Sequence, residues 1–118
     1  MSATADPLIQ KSLVGEALEH GPVAIFVADD EQRYLAVNDF GCALLGYTRE
    51  RLLELTVGAI AAYEEAQTEY AEMVRDGSRS GIAVLRRADG REVRVGYRAA
   101  RTAVGAQTLF VSACWPLD

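Results

Sequence analysis

The sequence predicts one α+β domain built on an antiparallel sheet. The chain has 118 residues, which is enough for one hydrophobic core and too short for two domains. A helical pattern and two short strand patterns come first, a block of helical patterns follows, and three strand patterns close the chain. Strands grouped on either side of a helical block favour an antiparallel sheet, because a parallel sheet alternates strands with helices.

The first helix is predicted between Asp6 and Gly21. Asp6 is a favourable N-cap residue, and Pro7 suits the first helical position because its ring fixes a helical backbone angle. Gly21 is expected to take the left-handed conformation that ends many helices, and Pro22 blocks continuation.

This helix carries an apolar face formed by Ile9, Leu13 and Ala17. Such a face needs a partner surface, so we expect it to be buried against the sheet or against a second subunit. We place a boundary after the helix, with residues 1–22 as helix and cap and residues 23–118 as the main domain.

A hairpin is predicted next. Residues 23–28 and 33–37 are apolar stretches rich in β-branched and aromatic residues, and the polar residues 29–32 form a turn between them. Asn38 and Asp39 follow the second strand, and either side chain can cap a helix.

Two short helices are predicted behind this cap. Phe40, Ala43 and Leu44 share one face of the first helix, which is expected to end at Gly46. Thr48 is the expected N-cap of the second helix.

A third helical pattern spans residues 62–77 and is expected to stop at Gly77. Its apolar positions share one face: Tyr63, Ala66, Tyr70, Met73 and Val74. Its glutamates are assigned to the solvent-exposed side: Glu64, Glu65, Glu69 and Glu72.

The rest of the chain alternates apolar and polar residues, as strands do. Residues 89–90, Asp-Gly, are the strongest short-range signal for a hairpin turn. In the strand after this turn one face is apolar, and residues 109–115 form the last strand. That apolar face consists of Val93, Val95, Tyr97 and Ala99.

Composition excludes several classes of partner. The net charge is −5, whereas a protein that neutralises phosphates usually carries a basic excess, so we expect no nucleic-acid partner. The apolar runs are too short to cross a bilayer, and the N-terminus lacks a secretory signal pattern, so we expect no membrane partner and a cytoplasmic location. Cys42 and Cys114 are predicted to be free thiols.

The order of these elements resembles that of a PAS domain over residues 21–115. The resemblance rests first on residues 23–52, VAIFVADDEQRYLAVNDFGCALLGYTRERL, in which Asn38 follows the second strand and Gly-Tyr-Thr at residues 46–48 ends the helix. Residues 84–95, VLRRADGREVRV, are the second characteristic stretch.

The resemblance implies a five-stranded antiparallel sheet in the spatial order 2-1-5-4-3, with short helices over one face and a cavity between them. Residues 23–118 would then be the PAS domain. In this family the cavity holds haem, flavin, another chromophore or a small metabolite, or it is filled by side chains. PAS domains commonly dimerise through the sheet or an N-terminal helix, which makes Ile9, Leu13 and Ala17 the candidate interface of a homodimer.

The sequence argues against haem and flavin. Haem needs an axial ligand such as His or Cys, and the one histidine, His20, lies at the end of the first helix, where a cation complements the helix dipole. The family's flavin photosensors use a Cys on a later helix, whereas Cys42 lies on an earlier one. No His or Cys spacing suits a metal, so no metal is expected and the cofactor stays unknown.

An enzyme is not predicted either. A Ser or Cys nucleophile needs a neighbouring base, and the one histidine lies outside the predicted cleft.

The sequence therefore predicts a PAS-type sensory or signalling module that binds a small apolar or aromatic ligand in a central cavity, forms a homodimer, or does both. The alternative is an interaction or dimerisation module with a filled core, which would bind a signalling partner protein and no ligand. Ligand, output partner and oligomeric state stay open, as does the choice between a stand-alone protein and an excised module. The candidate cavity residues are Phe40, Leu44, Tyr63, Tyr70, Met73, Tyr97, Phe110 and Trp115.

Overall fold

A five-stranded antiparallel sheet forms the centre of the structure, a computed structural model that describes residues 5–117. The strands are β1 Ala24–Ala28, β2 Tyr34–Val37, β3 Ser78–Arg86, β4 Glu92–Val104 and β5 Gln107–Pro116. The helices are α1 Pro7–Glu19, α2 Asp39–Leu45, α3 Arg49–Leu52, α4 Val57–Ile60 and α5 Ala66–Asp76. The spatial order of the strands is β2-β1-β5-β4-β3, which confirms the predicted class and order.

Local signals place most helix ends. The Asp6 side chain accepts hydrogen bonds from the backbone N–H groups of Leu8 and Ile9 and caps α1. Thr48 caps α3, and left-handed glycines at positions 46 and 77 end α2 and α5, as predicted. The sequence did not predict α4, whose N-cap residue makes no side-chain hydrogen bond.

The prediction for Gly21 is wrong, because the residue does not have a positive φ. Helix α1 ends at Glu19, with His20 as its C-cap, directly before Gly21. Glycine is required at position 21 for another reason: a Cβ there would lie 2.5 Å from the carbonyl oxygen of Ala17. The backbone at position 21 passes so close to the last turn of α1 that no side chain fits there.

Helix α1 does not dock on the sheet of its own chain, contrary to one of the two expectations. Ile9, Leu13 and Ala17 are all exposed, and Leu13 keeps 52% of its surface. The helix is held at its C-terminal end, where Arg49 forms an ion pair with Glu19. An attachment at that end directs the helix away from the sheet and leaves its apolar face without cover.

Asn38 is a buried hydrogen-bonding centre, with 4% of its surface exposed. Its Oδ1 accepts hydrogen bonds from the backbone N–H groups of Gly41, at 3.0 Å, and Ile25, at 2.9 Å. Its Nδ2 donates to the carbonyl oxygens of Leu18, at 2.5 Å, and Val23, at 2.9 Å. One side chain therefore caps α2 and ties that helix to α1 and β1.

Asp39, the other candidate cap, lies on the outer side of α2 and forms ion pairs. Its carboxylate accepts a hydrogen bond from Arg49 at 3.0 Å and lies 3.0 Å from Nδ1 of His20. The Arg49 guanidinium holds the pKa of Asp39 below its usual range. Arg49 also donates to the carbonyl oxygen of Val37, so this cluster supports the same junction from the solvent side.

The buried face of α2 differs from the predicted one. Gly41 and Leu45 are buried, whereas Phe40 and Leu44 are half-buried and Ala43 is exposed. The helix is rotated because Gly41 faces β1 and β2 closely: a Cβ there would lie 2.6 Å from Cγ2 of Val37. Glycine is not counted among the apolar residues of a helical pattern, so the pattern predicted a buried face of Phe40, Ala43 and Leu44 instead.

We expect Asn38→Ala to lower the free energy of unfolding by more than about 2 kcal/mol, because the change removes a helix cap and leaves buried backbone groups without partners. Asp39→Ala, which removes exposed ion pairs, should cost less. Urea denaturation of both variants compares the two losses. A larger loss for Asp39→Ala would contradict the role of Asn38 as cap.

Candidate functional site

A cavity of about 120 Å³ lies against the inner face of the sheet. All five strands contribute side chains to its wall, and α5 forms the opposite wall with Ala66, Glu69, Tyr70 and Met73. The lining is mostly aliphatic and aromatic. Such a space suits a small apolar molecule.

The structure brings five of the predicted cavity residues together. The cavity is lined by Tyr63, Tyr70, Met73, Tyr97 and Phe110. Tyr70 and Met73 face it from α5, one helical turn apart, and Phe110 faces it from the sheet. The rings of Tyr70 and Phe110 are 5.8 Å apart and inclined at 58°, which is a favourable aromatic contact.

Phe40 and Leu44 do not line the cavity. Both are half-buried on α2 and pack against the core beside the cavity. Helix α2 lies against β1, whereas the cavity lies beneath α5, so an apolar position on α2 serves the core. The assignment of these two residues to the cavity was wrong.

Trp115 lies on the other face of the sheet. Its neighbour Cys114 faces the cavity, so strand alternation turns Trp115 outwards, where 41% of its surface is exposed. The indole lies over Gly96, and a Cβ on Gly96 would be 2.6 Å from its Nε1. Phe110 and Trp115 are an odd number of residues apart, so alternation along β5 was the signal that separates them.

Several lining residues were missing from the prediction. Phe26 and Tyr34 contribute aromatic rings from β1 and β2, and Ser112 and Cys114 line the cavity from β5. Val57 belongs to α4, the helix that was not predicted. The alternation of side chains along β1 could have been used to predict its buried side chains, whereas no pattern in the sequence indicated α4.

The hydroxyl of Tyr70 is buried and has no hydrogen-bond partner within residues 5–117. Burial, together with the nearby carboxylates of Asp29 and Asp30, raises the pKa of Tyr70 to about 12. The hydroxyl therefore stays protonated. A buried polar group without a partner is costly and points to a missing one.

Glu69 is part of the cavity wall, which corrects its assignment to the solvent-exposed side of α5. The Tyr63 hydroxyl donates a hydrogen bond to Oε2 of Glu69 at 2.6 Å. Burial and this carboxylate raise the pKa of Tyr63 above its usual range. Tyr63 lies in the loop before α5, so the bond ties that loop to the first turns of the helix.

Arg79 of β3 extends the same polar rim. Its Nε donates to the hydroxyl of Tyr97 at 3.2 Å, its Nη2 lies 3.6 Å from Glu69, and its Nη1 donates to Glu72. The guanidinium therefore connects α5 with β3 and β4 beside the cavity. Its charge is already compensated by two carboxylates.

The site shows no arrangement for nucleophilic chemistry within the described part of the chain. Burial raises the pKa of Cys114 to about 12, which keeps the thiol protonated. Cys42 and Cys114 are both free, as predicted, and His20 lies at the end of α1 away from the lining. Residues 5–117 contain no group of His, Cys, Asp and Glu that could hold a metal ion.

An antiparallel sheet with short helices over one face and an apolar cavity between them places the protein in the α+β class. A sequence profile of the PAS domain matches residues 13–75, more than half of the chain. The protein belongs to the PAS domain family. No match is found among curated proteins.

Solved PAS domains share this fold. A PAS domain from a two-component sensor histidine kinase has a TM-score of 0.82 and 18% identity over 93% of this chain and 98% of that chain. The PAS domain of an HTR-like protein from Haloarcula marismortui has a TM-score of 0.79 and 22% identity, with 92% of each chain covered. A domain of a sensory box sensor histidine kinase/response regulator from Geobacter sulfurreducens has a TM-score of 0.77 and 24% identity over 94% and 98%.

None of the helices in residues 5–117 is long and apolar enough to cross a membrane.

Tyr63→Phe should lower the free energy of unfolding by about 0.5–1.5 kcal/mol, because it removes a hydrogen bond to a partly buried carboxylate. Tyr47→Phe, a half-buried tyrosine outside the cavity lining, is the matched control and should change less. Denaturant unfolding measures both. Equal losses in the two variants would show that the bond to Glu69 contributes nothing to stability.

Proposed function

We propose that the protein is a sensory or signalling module that binds a small apolar or aromatic ligand in the cavity. The observation that carries the proposal is the cavity itself, about 120 Å³ of apolar space beneath α5. An apolar protein cavity of about 150 Å³ binds benzene, so a cavity of about 120 Å³ limits the occupant to single-ring size. The relatives from sensor histidine kinases support a signalling role.

The ligand would act through α5. Tyr70 and Met73 bring this helix into contact with any occupant, and Arg79 links the helix to the sheet through Glu69 and Glu72. A ligand shifts a conformational equilibrium by its difference in affinity for the two states. An occupant that moved α5 would change the ion pairs with Arg79 and so alter the strands beyond.

Met73→Ala tests whether the space is a ligand pocket. Met73 is buried but borders the cavity, so its truncation removes fewer contacts than truncation in a filled core, and we expect a loss below about 2 kcal/mol. Leu45→Ala is the matched control: Leu45 is fully buried away from the cavity lining and should cost about 2–5 kcal/mol. Denaturant unfolding compares the two variants.

A thermal-shift screen with single-ring apolar and aromatic compounds completes this test. At least one compound should raise the midpoint of the wild type by mass action, and Met73→Ala should change the affinity for it. The ligand proposal is rejected if Met73→Ala loses as much unfolding free energy as Leu45→Ala and no compound raises the wild-type midpoint. The interaction module with a filled core would then remain.

Homodimerisation is a second candidate function, favoured by two exposed apolar surfaces. Ile9 and Leu13 of α1 lie uncovered, as described above. On the outer face of the sheet Ile82, Gly96 and Trp115 are paired side by side on β3, β4 and β5, and Ile82 keeps 55% of its surface exposed. A homodimer would cover such surfaces, and a signalling partner protein is the alternative occupant.

Leu13→Gln should weaken the homodimer without destabilising the monomer, since Leu13 is already exposed within the chain. Lys11→Gln, on the opposite side of α1, is the matched control and should leave the dimer intact. Sedimentation analysis over a range of protein concentrations measures the association. A monomer at all concentrations in the wild type would remove the homodimer from the proposal.

A further inference from the structure

The unpaired hydroxyl of Tyr70 indicates which chemical class of ligand the cavity takes. Tyr70 lines the cavity from α5, and its ring rests against Phe110, which limits where the hydroxyl can turn. The oxygen is buried and finds no partner within residues 5–117. An occupant with a hydrogen-bond acceptor would supply that partner.

The electrostatics make this hydroxyl a donor. Burial, with a smaller effect of Asp29 and Asp30, raises the pKa of Tyr70 to about 12, so the proton stays on the oxygen. Neither aspartate lines the cavity, and Asp29 is paired with Arg33 at 2.8 Å. A neutral acceptor gains from the donated hydrogen bond, whereas an anion would first have to lose its hydration to reach this buried hydroxyl.

The rest of the lining excludes charged ligands as well. Among the described lining residues Glu69 is the one carboxylate, and there is no lysine, arginine or histidine. An anionic ligand would therefore be desolvated without a cation beside it. Glu69 already accepts from Tyr63 and lies near Arg79, so a cationic ligand would find no free carboxylate in the wall.

We infer, on the basis of the ligand-binding function proposed above, that the occupant is an uncharged molecule of single-ring size with one hydrogen-bond acceptor, and that the Tyr70 hydroxyl donates to this acceptor. Apolar contacts with the aromatic lining supply most of the affinity. The hydrogen bond orients the molecule and selects it against pure hydrocarbons of the same shape.

Four probes of similar size test separately whether the ligand needs a hydrogen-bond acceptor and whether it must be uncharged. Benzonitrile is neutral and carries an acceptor, and phenylacetylene has the same shape without the nitrile nitrogen. Benzoate and benzylammonium add a negative and a positive charge. Binding of each probe to the wild type is measured by titration calorimetry or ligand-detected NMR. Benzonitrile should bind about 2- to 12-fold more tightly than phenylacetylene, the gain of one hydrogen bond, and the charged probes should bind more weakly than both.

Tyr70→Phe removes the donor and leaves the ring in place. The variant without ligand should be as stable as the wild type or more so, because it loses a buried hydroxyl that had no partner. Its preference for benzonitrile over phenylacetylene should disappear, while its affinity for phenylacetylene should stay unchanged. Tyr47→Phe, outside the lining, should keep the preference.

The infrared band of the nitrile gives an independent readout. Hydrogen bonding to the nitrile nitrogen raises the stretching frequency, so bound benzonitrile should absorb at higher frequency in the wild type than in Tyr70→Phe. Three results would overturn the inference and leave the ligand-binding function standing. They are equal nitrile frequencies in the wild type and Tyr70→Phe, an unchanged preference for benzonitrile in Tyr70→Phe, and benzoate binding as tight as that of benzonitrile. Failure of all four probes to bind would overturn both.

Discussion

The structure depends on the four hydrogen bonds of the Asn38 side chain. They join the last turn of α1, the start of β1 and the first turn of α2 at one buried point. A buried amide is stable there because both of its polar atoms are satisfied by backbone groups. The junction sets the position of α2 against β1 and also the direction in which α1 leaves the domain.

The cavity follows from the lengths of the helices over the sheet. Helices α2, α3 and α4 have seven, four and four residues, and each ends before it could cover the sheet. Helix α5 closes the remaining space from above, and Arg79 holds it to β3 and β4 through Glu69, Glu72 and Tyr97. Space remains between sheet and helix because aromatic rings from both sides meet at its borders without filling it.

The site was predictable where periodicity carries the information. Tyr70 and Met73 share a helical face, and that face lines the cavity. Trp115 was misplaced although alternation along β5 separates it from Phe110. Phe40 and Leu44 were misplaced for a different reason: an apolar face shows that a helix packs on the domain, but not whether it packs on a core or beside a cavity.

The sequence by itself determined most of the elements and helix ends, because caps and turns act between residues close in the chain. Asp6 and Thr48 mark helix starts, Gly46 and Gly77 mark helix ends, and the Asp-Gly turn joins β3 and β4. The tertiary structure decided the projection of α1, the cavity and the unpaired hydroxyl of Tyr70. These depend on contacts between distant segments: Leu18 with Asn38, α5 with the sheet, and Tyr70 with Phe110. Local patterns do not encode which distant surfaces meet, since each surface is apolar whether its partner is a side chain, a ligand or another protein.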